Sequence, residues 1–306
     1  MKVTVVGGAG GIGSSVAFNL LLAGGFEVVL VDPRAEMLES HLMDFEQVLE
    51  QGASGSVRAG ADADVPDADI VVLSAGTPLT VNSSRMVYLE DNAAIIGEVV
   101  DALPPDWGGV VLLVTNPVDP LCTWALPRTG LDRTRLLGYT LNDTLRLRTG
   151  LAHVLGVAPG SVEAWVIGEH GDAAVPLLDR ITVAGAPVEL SGPQRAAAED
   201  FLRGWYVRHV GLDSGRSSTW TSGLGIARLI RAVADDSGEL FPVSILLRGE
   251  YGVDGVCLSV PASIGAAGAQ RIEEWELSAA EHAALKEAAA VVQAAAESIG
   301  GVTWAR

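Results

Sequence analysis

The sequence is poor in cysteine, in lysine and in long apolar runs. Its 306 residues include two cysteines, Cys122 and Cys257, which are too few for a disulfide framework and lack the paired spacing of a metal site. The sequence therefore predicts two free thiols and no bound metal. No apolar run reaches the roughly 18 residues of a transmembrane helix. Because the chain opens on a strand pattern and not on a signal peptide, we expect a cytoplasmic protein.

Positive charge is scarce as well. The chain has 20 lysine and arginine residues against 38 aspartate and glutamate residues, which gives a formal net charge of -18. Only Lys2 and Lys286 are lysines. Nucleic acids and anionic membranes repel a protein of this sign, so neither is expected as a partner. A small anionic substrate would need arginines placed locally to overcome the same field.

Glycine, in contrast, is concentrated near the amino terminus. An apolar strand pattern, Val3–Val6, is followed by a turn and a helix pattern, and a second strand leads into Asp32. The turn contains Gly7, Gly10, Gly11, Ile12 and Gly13. Glycines at this spacing let the backbone approach a pyrophosphate at a helix amino terminus, and an acid about 20 residues later can bind ribose hydroxyls. The alternative is an ordinary tight turn between strand and helix.

This order of motifs predicts dinucleotide binding. Asp32 would repel a 2′-phosphate, so NAD is favoured over NADP, although the neighbouring Arg34 leaves some use of NADP open.

Apolar strand patterns alternate with helix patterns as far as about residue 140, and a mixed pattern follows. This predicts an α/β fold, with a Rossmann-type doubly wound parallel sheet in residues 1–140 and an α+β substrate or catalytic domain in residues 141–306. Ligands bind at the carboxyl ends of the strands in such sheets. Ala75, Gly76 and Asn116 fall at those ends.

One of the five histidines has polar company. His170 follows an apolar strand pattern within a glycine-bracketed turn, and imidazole exchanges a proton near neutral pH. Asp143 and Arg146 are three residues apart on a predicted helix, so they share a face. Arg85 begins another predicted helix. Two arginines and a His–Asp pair suit the reduction of a carbonyl beside a carboxylate.

Taken together, these motifs resemble the L-lactate/L-malate dehydrogenase family over nearly the whole chain. The resemblance also rests on Asn116-Pro117 and on residues 242–252. It implies NAD as the cofactor, with contacts from the glycine turn, Asp32, Ala75, Gly76 and Asn116.

The same resemblance implies a role for each polar residue. His170 would be the acid and base, and Asp143 its orienting partner. Arg146 would bind the substrate carboxylate, and Arg85, on a mobile loop, would polarise the carbonyl. Asn116 would contact both the nicotinamide side and the substrate.

The chain departs from the family where the substrate is selected. Malate enzymes of the family place arginine there and lactate enzymes typically glutamine, whereas this chain has Leu79 in an uncharged loop. We therefore expect an uncharged 2-oxo acid side chain. Ser218 is the expected hydroxyl contact in the segment that closes the pocket. Trp220 could bound the pocket or belong to the core.

The sequence is also compatible with other functions. The alternatives are L-malate dehydrogenase, with Arg216 pairing the second carboxylate, a reductase of specialised metabolism, and a dinucleotide-binding homologue without chemistry. We also expect a homodimer or homotetramer. Its contact surface would be the helix at residues 35–50, with the stripe Leu38, Leu42, Phe45 and Leu49, unless that stripe packs on its own sheet.

Overall fold

The fold is known from a computed structural model that describes residues 1–78 and 85–300. Its first half alternates strands with helices along the chain. In order, these are β1 (Lys2–Val6), α1 (Gly11–Ala23), β2 (Glu27–Val31), α2 (Ala35–Glu50), β3 (Ser56–Ala59), β4 (Ile70–Leu73), α3 (Leu89–Asp101), β5 (Val110–Leu113), α4 (Val118–Thr129) and β6 (Leu136–Tyr139).

These six strands form a parallel sheet in the order β3-β2-β1-β4-β5-β6. Every residue of β4 and β5 is buried, as expected for parallel strands covered by helices on both faces. The strand order reverses at β1, so the carboxyl ends of β1 and β4 flank the crevice in which such sheets bind ligands. The predicted α/β fold with a Rossmann-type sheet is confirmed.

The second half contains longer helices and antiparallel strands. In order, these are α5 (Leu141–Leu155), β7 (Val162–Glu163), β8 (Val166–Gly168), β9 (Ala174–Pro176), β10 (Thr182–Val183), β11 (Ala186–Pro187), α6 (Gly192–Gly211), α7 (Thr219–Ala234), β12 (Glu239–Arg248), β13 (Asp254–Gly265), β14 (Gly268–Ile272) and α8 (Ala279–Ser298).

The large sheet continues from the first half into the second. Strand β6 pairs with β12 antiparallel, and the order then runs β12-β13-β8-β9. Strand β14 pairs with the carboxyl-terminal part of β13. Strands β11, β10 and β7 form a small separate sheet. The continuous sheet places β8, which leads to His170, within the same sheet as the dinucleotide-type half.

Some predicted elements differ from those observed. The helix predicted from Arg85 begins as a 3-10 turn, Arg85–Tyr88, and is α-helical from Leu89, where Glu90 and Asp91 stabilise the helix amino terminus. The apolar strand pattern that precedes His170 is divided into two short strands, β7 and β8. Helix α4 was not predicted, because it is buried almost all round and two prolines interrupt its pattern.

The apolar stripe on α2 faces the chain's own core. Leu38 and Phe45 are buried there, and Leu49 packs against the same cluster. These three residues therefore pack on the parent sheet, which was the alternative, whereas Leu42 lies outside this cluster. That the helix at residues 35–50 forms an oligomer contact stays a prediction. Among the helices of residues 1–78 and 85–300, none has the length and apolar character needed to cross a membrane.

Candidate active site

The glycine turn after β1 is packed against the end of β4. Gly7 has a φ of 87°, and a Cβ atom on it would lie 2.5 Å from the backbone nitrogen of Ala75. A Cβ atom on Gly13 would lie 2.3 Å from the carbonyl oxygen of Gly7. No side chain fits at either position, which is the physical reason for glycine here. The turn therefore presents bare backbone at the amino terminus of α1, as a pyrophosphate site requires.

The other residues of the predicted fingerprint surround this turn. Gly10 precedes α1 as its N-cap, Gly11 is the first helical residue and faces Thr219 of α7, and Ile12 packs against the core. Asp32 follows β2, and its Oδ2 accepts a hydrogen bond from the backbone N–H of Ala9 at 3.1 Å. The structure thus brings the glycine turn and Asp32 together.

The ends of β4 and β5 are joined by a small polar network. The Oδ1 atom of Asn92 accepts hydrogen bonds from the N–H and the hydroxyl of Thr77, at 2.8 and 2.9 Å. Its Nδ2 donates to the carbonyl oxygen of Asn116 at 2.6 Å, and the hydroxyl of Thr115 donates to the carbonyl oxygen of Ala75 at 2.6 Å. Gly76 lies against Asn92 and Thr115. Asn92 was not singled out from the sequence.

Asn116, three residues after the end of β5, has an unpaired side-chain atom. Its Oδ1 is buried and has no hydrogen-bond partner within residues 1–78 and 85–300. A buried acceptor without a partner costs about 1–3 kcal/mol. The position is suited to a ligand that donates a hydrogen bond.

The central feature of the site is a buried His–Asp–Arg chain. Nδ1 of His170 lies 2.5 Å from Oδ2 of Asp143, and Nη1 of Arg146 donates to Oδ1 of the same carboxylate at 2.8 Å. All three residues are buried. A carboxylate at Nδ1 holds the proton on that nitrogen, so Nε2 is the nitrogen suited to proton exchange with a ligand.

Hydrogen bonds between elements fix this geometry. The hydroxyl of Thr144, on α5, accepts from the N–H of Val166 on β8 at 3.1 Å. Thr140, which precedes α5, shares a 2.7 Å hydrogen bond with Ser259 of β13, and Ser259 pairs with Gly168 at the end of β8. These contacts hold α5 and β8 together, one bearing Asp143 and Arg146 and the other leading into His170.

A second carboxyl group supports the histidine loop. The N–H of His170 donates to Oδ2 of Asp119 at 2.6 Å. Asp119 is 1% exposed, and burial raises its pKa to about 8, with a further contribution from the charge of Glu169. This residue was missed in the sequence, although one acid within the apolar Val118–Leu126 segment is a usable signal of a buried polar contact.

Arg146 is flanked by residues from α6 and from the start of α7. Its guanidinium carbon lies 3.8 Å from the ring centroid of Trp205, and Nη2 donates to the hydroxyl of Ser218 at 3.4 Å. Trp205 in turn stacks on His209, with 4.8 Å between ring centroids. The structure thus brings Ser218, the predicted pocket hydroxyl, into contact with Arg146. Trp205 was missed, because its contact depends on the long-range packing of α6 on α5.

The remaining predicted residues have mixed outcomes. Trp220 is 70% exposed, which rules out the core, one of its two expected places. Leu79 lies outside the described residues, and Arg85 begins the 3-10 turn. Cys122 and Cys257 are free and buried. Within residues 1–78 and 85–300, no cluster of three or more His, Cys, Asp or Glu side chains could hold a metal.

Comparison with known proteins gives a consistent result. Residues 1–138 match the family model described as lactate/malate dehydrogenase, NAD binding domain, and residues 140–300 match its alpha/beta C-terminal domain. The L-lactate dehydrogenase of Gloeobacter violaceus is 32% identical over 305 residues, covering 95% of this chain and 92% of the relative. The malate dehydrogenase of Nitratiruptor sp. is 35% identical over 289 residues, covering 92% and 90%.

A solved structure extends this similarity to three dimensions. The lactate dehydrogenase of Cryptosporidium parvum, in complex with lactic acid and nicotinamide adenine dinucleotide, has a TM-score of 0.91. It is 25% identical, and the alignment covers 99% of this chain and 98% of that one. Relatives of both names are therefore similar to this chain.

The substitution Asp119→Asn tests the buried carboxyl group. The folded chain holds a proton on Asp119 up to about pH 8, whereas the unfolded chain releases it near pH 4, so the stability of the parent falls as the pH rises between these values. Asparagine does not titrate and can still accept the His170 N–H. As the pH is raised from 6 to 8, we expect the free energy of unfolding of the variant, relative to that of the parent, to increase by about 2 kcal/mol. Urea unfolding at each pH measures this difference.

The exposed Asp106→Asn variant is the matched control. A stability difference between the Asp119→Asn variant and its parent that stays constant across this pH range would contradict the prediction.

Proposed function

The chain belongs to the lactate/malate dehydrogenase family, and we propose that it oxidises and reduces an L-2-hydroxy acid and its 2-oxo acid whose side chain is uncharged. Membership of the family makes it an NAD-dependent 2-hydroxyacid dehydrogenase. The observation that carries the proposed chemistry is the buried chain of His170, Asp143 and Arg146 near the carboxyl ends of the parallel strands.

The residues present fit NAD. The glycine turn has no room for side chains at Gly7 and Gly13, and Asp32 lies beside it. Ala75, Gly76 and the unpaired Oδ1 of Asn116 provide the other proposed contacts. When bound, NAD supplies the hydride acceptor for C2 of the hydroxy acid.

The protein's residues then handle the proton and the substrate charges. In the oxidation direction, Nε2 of His170 accepts the hydroxyl proton, and in the reduction direction it returns that proton to the carbonyl oxygen. Asp143 orients the ring and stabilises its charged form. Arg146 binds the substrate carboxylate, with Ser218 and Trp205 limiting its movement. Arg85 is the proposed group that polarises the carbonyl.

Substrate selection is assigned to Leu79 from the sequence. Residues 77–84 carry no charged side chain, so the loop before Arg85 offers no partner for a second carboxylate. Burying an unpaired carboxylate is strongly unfavourable, and the free-energy cost disfavours oxaloacetate. The guanidinium carbon of Arg216 lies 5.3 Å from the centroid of the exposed Trp220 ring, and this arginine is the alternative partner for such a carboxylate.

Two alternatives stay within the same chemistry. Malate dehydrogenases are among the similar proteins, so oxaloacetate is the second candidate substrate. A reductase of specialised metabolism would also accommodate the uncharged loop. The His170–Asp143 contact argues against a dinucleotide-binding homologue without chemistry, because such a protein has no need of a buried proton-exchanging pair.

Steady-state kinetics with NADH test the substrate proposal. We expect kcat/KM for pyruvate, branched 2-oxo acids or phenylpyruvate to exceed that for oxaloacetate, and Leu79→Arg to shift the preference toward oxaloacetate by about 100-fold or more because it supplies a pairing charge. Leu79→Gln is the matched neutral control. A strong preference of the parent for oxaloacetate would refute the role of Leu79.

The acid and base assignment is tested by His170→Ala. We expect turnover to fall by about 10²–10⁴, because no other described group holds the position of the ring, while NADH binding measured by fluorescence stays within about twofold. His282→Ala, on α8, is the control. A loss of less than about tenfold in turnover would show that His170 does not exchange the proton.

We further propose that the chain forms a homodimer or homotetramer in the cytoplasm. Helices α1 and α7 pack together, since a Cβ atom on Gly223 would lie 2.0 Å from the hydroxyl of Ser15. Both helices also carry exposed apolar side chains, namely Phe18, Leu22, Trp220 and Leu224. Exposed apolar groups on adjacent helices favour contact with a second copy.

Sedimentation velocity tests this surface. We expect the parent to sediment as a dimer or tetramer at micromolar concentration, and Leu224→Glu to shift it toward monomer by placing a charge in the apolar contact. Val291→Glu, an exposed apolar position on α8, is the control. A parent that sediments as a monomer would refute the proposal.

A further inference from the structure

The carboxylate of Asp32 is fully engaged by hydrogen bonds, and three of the four come from Arg34. Oδ1 accepts from the backbone N–H of Arg34 at 3.1 Å and from its Nε at 2.9 Å. Oδ2 accepts from Nη2 of Arg34 at 2.9 Å and from the N–H of Ala9 at 3.1 Å. A carboxylate offers about four acceptor positions. A ribose hydroxyl can therefore donate to Asp32 only if it displaces one of these donors.

The side chain of Arg34 is the donor that can move. Arg34 is the N-cap residue of α2, and its side chain is 57% exposed, whereas 3% of the Asp32 side chain is exposed. Its Nη2 lies 3.8 Å from the position that a Cβ atom on Gly10 would occupy. The guanidinium group therefore stands between the glycine turn and Asp32, where a dinucleotide of this fold places its adenosine ribose.

We propose that Arg34 tunes the cofactor preference of this chain: it competes with the ribose hydroxyls of NAD(H) for Asp32, and it offers a cation to the 2′-phosphate of NADP(H), so that the preference for NAD(H) is smaller than Asp32 alone would give. The inference rests on the dinucleotide site of the proposed function and is independent of the substrate.

The balance of charges explains why one arginine can have both effects. Burial raises the pKa of Asp32, but the hydrogen bonds from the side chain and backbone of Arg34 outweigh it, and the pKa is lowered overall. Asp32 is thus an anion at neutral pH. If Arg34 turned to a 2′-phosphate, Asp32 would keep the N–H of Ala9. The net charge of -18 opposes any added phosphate, so a local guanidinium is needed.

Nucleotide fragments provide a direct test, because they bind without chemistry. The affinities of 5′-AMP and adenosine 2′,5′-bisphosphate are measured by calorimetry for the parent and for Arg34→Ala. We expect the substitution to strengthen binding of 5′-AMP by about threefold, since Asp32 becomes available, and to weaken binding of the bisphosphate by about tenfold, since the phosphate loses its cation. The ratio of the two dissociation constants then changes about 30-fold.

Arg58→Ala is the matched control. Arg58 also pairs with an aspartate, Asp64, and with Glu27 at the amino end of β2, whereas the glycine turn follows the carboxyl end of β1. The Arg58→Ala substitution should leave the affinities for both fragments within about twofold of the parent's. Titrations with NADH and NADPH, followed by fluorescence, should repeat the change in ratio on the whole cofactors.

Two results would overturn the inference. One is a ratio in Arg34→Ala that stays within about threefold of the parent's, which would show that Arg34 does not discriminate. The other is a parent that binds neither fragment, which would remove the dinucleotide site itself. A parent that binds both fragments but has no dehydrogenase activity would count against the proposed catalytic residues. The role of Arg34 would still be supported if the ratio of the two dissociation constants changes in Arg34→Ala.

Discussion

The carboxylate of Asp143 is the group on which the site depends, because it joins His170, the proposed proton-exchanging residue, to Arg146, the proposed anion-binding residue. One oxygen lies against Nδ1 of His170 and the other accepts from Arg146. A single buried acid therefore sets the tautomer of the histidine and the position of the guanidinium together. In a buried site these charge-assisted contacts are stronger than in water, and an unpartnered charge would be costly. The surrounding fold holds these three side chains in contact with one another.

The relative positions of these side chains are set by the junction of the two halves of the sheet. The parallel strands end at the dinucleotide-type turn, and β6 continues directly into α5, which carries Asp143 and Arg146. The antiparallel strands bring β8 alongside β13, and Thr140 and Ser259 join the two parts. The proposed sites of hydride transfer and of proton exchange thus lie at the same junction. An acidic chain can handle anionic substrate and cofactor there because its arginines are placed locally.

Some residues of the site could be identified from the sequence and others could not. The glycine turn, Asp32, Asp143 and Arg146 could be found from spacing, because each motif is local and its geometry follows from the element that carries it. Asp119, Asn92 and Trp205 could not be assigned in this way. Their partners, His170, Asn116 and Arg146, are far along the chain, and only packing between elements brings each pair together. Helix α4 was missed for a related reason, since full burial removes the helical period.

The sequence by itself determined the alternation of apolar strands and helices, the glycine turn with its acid, the resemblance to the family and the choice of His170 as the candidate acid and base. Each of these depends on residue type and short spacing. Only the tertiary structure decided that Leu38 and Phe45 of α2 pack inward, that Trp220 lies outside the core, and that Arg34 donates three of the four hydrogen bonds to Asp32. Those outcomes depend on which surfaces meet and on how many donors reach one carboxylate. Spacing along the chain does not specify either quantity.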